Sequence, residues 1–276
     1  MNNVVVRSIS GVVFILAMLA CLMFNKFLFA GLIIFIMSVM LLEFYHITMG
    51  NSYTFSKVLA IIAAIFLFGL LFATASYHIP IRFVAFAMVP IFIVMINSLY
   101  VKDKDEYGKF SNIYTGLLYI AVPIALSNLI AFDKAGNFGG NLLLCFFIII
   151  WCSDVGAFAF GISLGKIFPQ KLFPSVSPKK TWIGFIGGLV SSVLAAFALY
   201  EFGILKFPLI HCLILSFIMS VTGVYGDLFE SQWKRVYGVK DSGKIIPGHG
   251  GFLDRFDSTL MAMPFGAIYL AIFDLL

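Results

Sequence analysis

The sequence predicts an all-α fold, that of a polytopic integral membrane protein with about nine transmembrane helices. Of the 276 residues, 62% are hydrophobic and only 11% are charged, and the mean hydropathy is +1.05. A soluble domain carries about 25% charged residues. The apolar runs recur along the whole chain and reach about 18 residues or more, the length that spans a bilayer as a helix. A water-soluble domain is excluded, and so is a membrane β-barrel, whose strands alternate polar and apolar residues.

Nine apolar stretches are the predicted spans. They cover residues 4–24, 27–48, 57–76, 80–101, 110–131, 140–163, 181–200, 207–230 and 257–276. When the spans alternate in direction, 14 of the 18 lysines and arginines fall on one side of the membrane. The other four are Lys26, Arg82, Lys134 and Lys206. Because cytoplasmic loops carry the excess of Lys and Arg, this distribution predicts a cytoplasmic N-terminus and an external C-terminus.

Two long polar loops, 164–180 and 231–256, lie on the predicted cytoplasmic side. The first contains four lysines and no acidic residue, and leads into the sequence Ser-Pro-Lys-Lys-Thr at 177–181 just as the next span begins. The free N–H groups at a helix start favour phosphate, and hydroxyl and ammonium groups add donors. A basic patch lying against anionic lipid headgroups explains the loop equally well.

The stretch 231–258 is the longest polar segment of the chain. It contains five basic residues, three acidic residues, one histidine and five glycines. The sequence Gly-His-Gly-Gly at 248–251 offers a backbone that side chains do not obstruct, and such a backbone can lie against phosphate oxygens. His249 is a candidate for phosphate contact or proton transfer. The basic residues, which are donors suited to a polyphosphate, are Lys234, Arg235, Lys240, Lys244 and Arg255.

Four aspartates are predicted to lie near the cytoplasmic side of their spans. Asp154 falls inside the sixth span among small residues, Asp227 ends the eighth, and Asp254 and Asp257 open the ninth. An acidic residue inside a span is costly and indicates a functional role. Several carboxylates in one place repel each other unless cations join them. Hard oxygen ligands with lysines nearby suit Mg²⁺ and a phosphate-bearing substrate.

Glu43 is another acidic residue inside a predicted span. Glu43, with His46 one turn further on, is near the cytoplasmic end of the second span. We expect this carboxylate to extend to the membrane interface, as polar side chains near helix ends commonly do.

These residues closely resemble the signature of the phosphatidate cytidylyltransferase (CDP-diacylglycerol synthase) family. The matching residues, with every spacing kept, are Ser231, Lys234, Arg235, Lys240, Asp241, His249, Gly250, Gly251, Asp254, Arg255 and Asp257. Upstream, 154–158 resembles the family's Asp-x-Gly-Ala-Tyr segment with Phe158 for Tyr, and 177–182 matches its SPKKTW box. Trp233 and Ile183 depart from the pattern, which usually has an aliphatic residue or Phe at the first position and Glu or Gln at the second.

The resemblance implies transfer of CMP from CTP to phosphatidate, giving CDP-diacylglycerol and pyrophosphate. It also implies a homodimer in the cell membrane with its active site facing the cytoplasm, an N-terminal transmembrane region (1–105) and a catalytic transmembrane region (106–276). Mg²⁺, with K⁺ as a second cation, would be held by Asp227, Asp254 and Asp257. The implied catalytic residues are these three aspartates with Lys234, Arg235, His249 and Arg255. The implied substrate-binding residues are Asp154, Ser177, Lys179, Lys180, Thr181, Ser231, Lys240, Asp241, Gly250 and Gly251.

Other functions remain open at this point. A CTP-dependent polyprenol kinase, or a CDP-archaeol-type synthase acting on an ether lipid, would keep the phosphate chemistry and change the lipid. A secondary transporter of an anion also accommodates intramembrane aspartates, although transporters commonly show two related halves, which this sequence lacks. The remaining possibility is a structural membrane protein whose polar loops bind lipid headgroups.

Overall fold

A computed structural model describes residues 3–100, 107–248 and 250–276. Helices make up most of these residues, which confirms the all-α prediction. The helices of the first half are α1 (Asn3–Phe24), α2 (Lys26–Met49), α3 (Thr54–Tyr77), α4 (Met88–Ser98), α5 (Tyr107–Gly116) and α6 (Val122–Ala131). Those of the second half are α7 (Asn141–Ser163), α8 (Trp182–Glu201), α9 (Leu209–Val236) and α10 (Leu253–Ile272). A 3₁₀ segment (Ile81–Ala87) leads into α4, and a π-helical turn (Leu117–Ala121) joins α5 to α6.

Seven helical stretches within the described residues are long and apolar enough to cross a membrane, which makes the chain a multi-pass membrane protein. They are Lys26–Met49, Thr54–Tyr77, Ile81–Ser98, Tyr107–Ala131, Asn141–Ser163, Trp182–Glu201 and Leu209–Val236. Each corresponds to one of the nine predicted spans. The described apolar part of α1 is shorter, Ser10–Phe24, and α10 carries three charged residues in its first five positions. The first and ninth spans, and the cytoplasmic N-terminus, therefore stay predictions.

The chain divides into two compact units. The first consists of Met1–Gly139 together with Asp241–Arg255, and the second of Gly140–Lys240 together with Phe256–Leu276. The polar stretch 231–258 is therefore shared between them. The predicted functional division at 105/106 is a separate matter and stays a prediction.

Aromatic side chains fill much of the first unit. Phe29 lies against Phe68 and Phe138, with ring centroids 6.2 and 5.4 Å apart, and Phe132 contacts Phe138 at 5.5 Å. Tyr45 is fully buried, and its hydroxyl donates to the carbonyl of Ile113 at 3.0 Å. That bond joins α2 to α5 and satisfies a polar group that hydrocarbon would otherwise penalise.

Small residues allow close packing of the helices in the second unit. A side chain on Gly188 in α8 would lie 2.8 Å from the carbonyl oxygen of Ser153 in α7, so only glycine fits there. Ser153 also forms a 2.8 Å hydrogen bond with Ser220 of α9. Further along α9, a Cβ at Gly226 would lie 2.5 Å from the carbonyl oxygen of Asp257. Small residues at such contacts let helix backbones approach within a membrane.

The loop 164–180 contains a short hairpin that the sequence did not predict. Strand β1 (Lys171–Phe173) pairs antiparallel with β2 (Ser177–Thr181). The N–H of Val176 donates to the carbonyl of Phe173 at 3.3 Å and closes the turn. Pro174, which has no N–H to donate, occupies this turn rather than a strand. Because β2 leads directly into α8, the hairpin fixes the position of the residues before that helix.

Candidate active site

The junction between β2 and α8 positions two of the predicted lysines. Thr181 is the N-cap of α8, and its hydroxyl oxygen accepts a hydrogen bond from the N–H of Gly184 at 3.2 Å. A threonine cap satisfies one of the free N–H groups at a helix start. Thr181 is buried, whereas Lys179 and Lys180 precede it on the strand with side chains that reach solvent. Ser177, also a predicted site residue, begins β2 opposite Phe173.

Lys180 forms an ion pair with a carboxylate of α9. Its Nζ lies 2.5 Å from Oδ2 of Asp227 in α9. Asp227 also accepts a 3.2 Å hydrogen bond at Oδ1 from Ser231, one turn further along the helix. These two contacts orient the Asp227 side chain from both of its oxygens, and they bring the SPKKT segment and the end of α9 together.

A cavity of about 550 Å³ opens at this ion pair. Its polar wall consists of Asp154, Lys179, Lys180, Thr181 and Asp227. Its apolar wall consists of Ala157, Phe158, Ile162, Leu172, Phe185 and Val224. Small-molecule sites are commonly clefts of roughly 300–1,000 Å³ with apolar walls and a few polar groups. Five predicted substrate or metal residues thus line one cavity of suitable size.

Carboxylates accumulate beside the cavity. Asp257, which is partly buried, experiences the negative charges of Asp227, Glu230 and Asp154. Ser258 donates its N–H to Asp257 at 2.7 Å, and its hydroxyl donates to Asp154 at 3.4 Å. Like charges in one place raise the electrostatic energy and attract a cation.

One carboxylate of this group has a lysine of its own. Glu230 is only 1% exposed, and its Oε2 lies 2.5 Å from Nζ of Lys234, one turn further along α9. Truncating one member of a buried ion pair leaves the other charge uncompensated, so the pair is expected to be important for folding. Lys234, a predicted catalytic residue, is therefore engaged with Glu230 in this structure.

The segment 241–255 belongs to the first unit and surrounds Asp254. Oδ2 of Asp254 accepts hydrogen bonds from the N–H of Ser242 at 2.8 Å, from the Ser242 hydroxyl at 2.9 Å and from the N–H of Gly251 at 2.9 Å. Gly250 has a φ of +85°, a conformation that favours glycine. A Cβ there would also lie 2.6 Å from Asp254 Oδ2. The predicted glycines thus fold the turn around the carboxylate of Asp254.

Glu43 was predicted to extend to the membrane interface, and that prediction is wrong. The side chain is 7% exposed and turned inward. Oε1 accepts from the N–H of Phe252 at 3.1 Å and Oε2 from the N–H of Leu253 at 2.9 Å. The two backbone N–H groups at the start of α10 are fixed hydrogen-bond donors to the carboxylate. They take the place of the water molecules that would solvate it at the membrane interface. Ser242, which lies within the polar stretch, was not predicted as a site residue.

Several of the other predicted residues have exposed side chains. Arg235, at the end of α9, donates to the carbonyl of Val239 at 3.4 Å. Lys240, Asp241 and Arg255 have exposed side chains. His249 lies outside the described residues. Asp254 and Asp257 lie one turn apart along α10, the spacing that places two side chains on one helix face.

The carboxylates suit Mg²⁺ by their chemistry. Within the ranges that the structure describes, no three Asp, Glu, His or Cys side chains are arranged closely enough to enclose a metal ion by themselves. Mg²⁺ is usually bound through one or two carboxylates, several waters and the phosphates of a substrate, without a cage of protein ligands. The carboxylates around Asp257 are thus ligands of the kind that Mg²⁺ takes together with water and a bound phosphate.

Comparison with known proteins identifies the family of this chain. Residues 5–273 match the cytidylyltransferase family. The phosphatidate cytidylyltransferase of Bacillus subtilis is 37% identical over 187 residues, which are 68% of each chain. The protein of the same name from Staphylococcus saprophyticus is 45% identical over 46% of this chain and 47% of its own length. The one from Staphylococcus epidermidis is 36% identical over 63% of this chain and 64% of its own length. The chain belongs to the cytidylyltransferase family.

Proposed function

We propose that this protein is a phosphatidate cytidylyltransferase, which transfers CMP from CTP to phosphatidate and releases pyrophosphate. The observation that carries the proposal is the cavity at the Lys180–Asp227 pair, with its charged wall and its apolar wall. Relatives of that name are 36% to 45% identical to this chain over the segments that align.

The two walls of the cavity match the two halves of a phospholipid substrate. Lys179 and Lys180 offer ammonium donors to a phosphate, whose charge they would partly neutralise. Phe158 and Ile162 are 71% and 63% exposed on α7. In a membrane, exposed apolar side chains of this kind face lipid, so an acyl chain can remain in contact with them while the headgroup reaches the lysines. This arrangement favours a substrate that is both a lipid and a phosphate.

The reaction joins a lipid phosphate to the nucleotide. A phosphate oxygen of phosphatidate attacks the α-phosphorus of CTP, the bond from that phosphorus to the bridging oxygen of the β-phosphate breaks, and pyrophosphate leaves with the electron pair. The protein forms no covalent bond in such a transfer. It contributes by positioning the substrates and by neutralising their negative charge. Lys180 neutralises phosphate charge, and Asp227 holds Lys180 at the cavity before a substrate binds. Lys179 lies beside Lys180 and supplies a second ammonium group.

We assign Asp227, Asp254 and Asp257 as the carboxylates for Mg²⁺, with K⁺ as a second cation. Mg²⁺ would reduce the negative charge on the phosphates and stabilise the pyrophosphate leaving group. Ser231 orients Asp227, Ser258 orients Asp257, and Ser242 with Gly251 orients Asp254. Each of the three carboxylates thus has its own hydrogen-bond donor.

We also propose a location, an oligomeric state and an orientation for the enzyme. The protein lies in the cell membrane as a homodimer, and its site faces the cytoplasm, where CTP is found. The excess of Lys and Arg on the predicted cytoplasmic side supports that orientation.

The proposal is tested with purified protein in detergent, supplied with CTP, phosphatidate and Mg²⁺. We expect CDP-diacylglycerol and pyrophosphate in equal amounts. A phosphorylated lipid together with CDP would instead identify a CTP-dependent lipid kinase. An active preparation that prefers an ether-linked lipid would point to a CDP-archaeol-type synthase. If no turnover occurs but reconstituted vesicles take up an anion, the protein is a transporter and the proposal is wrong.

A further inference from the structure

The first unit contains a carboxylate that the proposed reaction does not use. Glu43 lies in α2, a spanning helix, and an acidic side chain there is costly unless it has a role. It is buried, and both of its oxygens accept hydrogen bonds from the backbone at the start of α10, from Phe252 and Leu253. Glu43 therefore binds the segment that follows the Gly-His-Gly-Gly sequence, about 210 residues away in the chain.

Ser242 connects Glu43 to Asp254. Its hydroxyl oxygen lies 3.3 Å from Oε2 of Glu43 and 2.9 Å from Oδ2 of Asp254, and it accepts from the N–H of Asp254 at 3.3 Å. The single hydroxyl proton stands between two carboxylates that repel each other. Together these bonds fix the position of the Asp254 backbone and the direction of its side chain.

The glycines of this segment leave room for the Glu43 carboxylate. A Cβ on Gly251 would collide with the hydroxyl of Ser242 and with both oxygens of Glu43. A Cβ on Gly243 would also collide with the Glu43 carboxylate. The φ of Gly243 is not positive, so backbone conformation does not by itself require glycine at this position. The contact with Glu43 does. The segment is thus built closely around Glu43.

We propose that Glu43 is a positioning residue, which holds Asp254 in its orientation through Ser242 and through the backbone of Phe252 and Leu253. This inference rests on the proposed function, in which Asp254 is a carboxylate for Mg²⁺. Glu43 touches neither substrate in this account. It acts as the outer partner of a ligand, and loss of such a partner commonly lowers metal affinity or activity by about 10- to 100-fold.

Glu43→Gln tests the inference, because an amide keeps the shape of the side chain but places an N–H₂ group against a backbone N–H. The first readout is hydrogen–deuterium exchange of protein in detergent without metal. We expect faster exchange in peptides that cover 242–253, while peptides from α7 are unchanged. The second readout is the Mg²⁺ concentration that gives half-maximal CMP transfer, which we expect to rise by about 10- to 100-fold. A variant that merely unfolds in part would lower kcat and leave this concentration unchanged.

The matched control is Glu201→Gln, which makes the same change at an exposed residue at the end of α8. Ser242→Ala is the second variant, in case Glu43→Gln does not fold. It should also raise the exchange rate of peptides that cover 242–253 and the Mg²⁺ concentration for half-maximal transfer. Unchanged exchange and an unchanged Mg²⁺ requirement in a folded variant would overturn the inference alone. A wild-type protein that transfers no CMP would overturn the proposed function first, and the inference with it.

Discussion

Nζ of Lys180 lies 2.5 Å from Oδ2 of Asp227, and this contact joins the basic hairpin before α8 to the end of α9. The two side chains are 26% and 31% exposed. An ion pair that solvent reaches to this degree contributes at most about 1 kcal/mol to stability. The pair therefore matters mainly for its place at the cavity, where a phosphate can replace Asp227 as the partner of Lys180.

Replacing Lys180 with methionine should reduce activity without reducing stability much. The variant loses a charge-assisted contact to phosphate, a contact of roughly 1.5–3 kcal/mol, which corresponds to about a 10- to 100-fold fall in kcat/KM. The free energy of unfolding should change by less than about 1 kcal/mol. The matched control is Lys206→Met, which alters an exposed lysine in the loop between α8 and α9. Equal activity in the two variants would contradict the role of Lys180.

Replacing Asp257 with asparagine should abolish CMP transfer in a protein that still folds. The change removes a negative charge that the charges of Asp227, Glu230 and Asp154 repel. The unfolding temperature should therefore stay the same or rise. The rate should fall by about 100-fold or more, as when other groups that stabilise transition-state charge are removed. The control is Asp274→Asn near the C-terminus. Near-normal turnover at position 257 would refute the metal assignment.

Replacing Thr181 with alanine should destabilise the protein by about 1 kcal/mol, the usual cost of a lost N-cap. Thr181→Ser keeps a hydroxyl that can accept from Gly184, so it should cost less. Chemical unfolding in detergent followed by circular dichroism measures both. If the two variants are equally stable, the capping bond does not contribute as the structure indicates.

Replacing Gly251 with alanine should abolish activity, because the new methyl group would collide with Glu43 and Ser242. Overpacking of a tight site typically costs about 1–3 kcal/mol. Gly69→Ala in α3 is the control, since a Cβ there meets no atom within 4 Å and alanine favours a helix. Wild-type activity in the Gly251 variant, with the control also unaffected, would show that the segment has more room than the structure gives it.

Much of the fold could be predicted because membrane helices are a local feature of the sequence. A stretch of about 20 apolar residues identifies a span without reference to the rest of the chain. Nine spans were predicted in this way, and within the described residues seven of them correspond to helical stretches long and apolar enough to cross a membrane. The hairpin at Lys171–Phe173 and Ser177–Thr181 was missed because strands of three and five residues around prolines carry no clear alternation.

The candidate site was predictable where residues cluster in the sequence or where topology brings them together. Asp154, Lys180 and Asp227 were expected on one side of the membrane, and they line one cavity. Glu43 was misinterpreted because its partners, Ser242 and Leu253, are 199 and 210 residues away. No local pattern distinguishes a carboxylate that reaches the interface from one that binds a distant loop.

The position of a label in CTP distinguishes the transfer of CMP from the transfer of a terminal phosphate. Purified protein would be given phosphatidate, Mg²⁺ and CTP with radioactive phosphorus at either the α- or the γ-position. For CMP transfer we expect the α-label in the lipid product and the γ-label in the released pyrophosphate. Appearance of the γ-label in the lipid, with the α-label remaining in CDP, would contradict it.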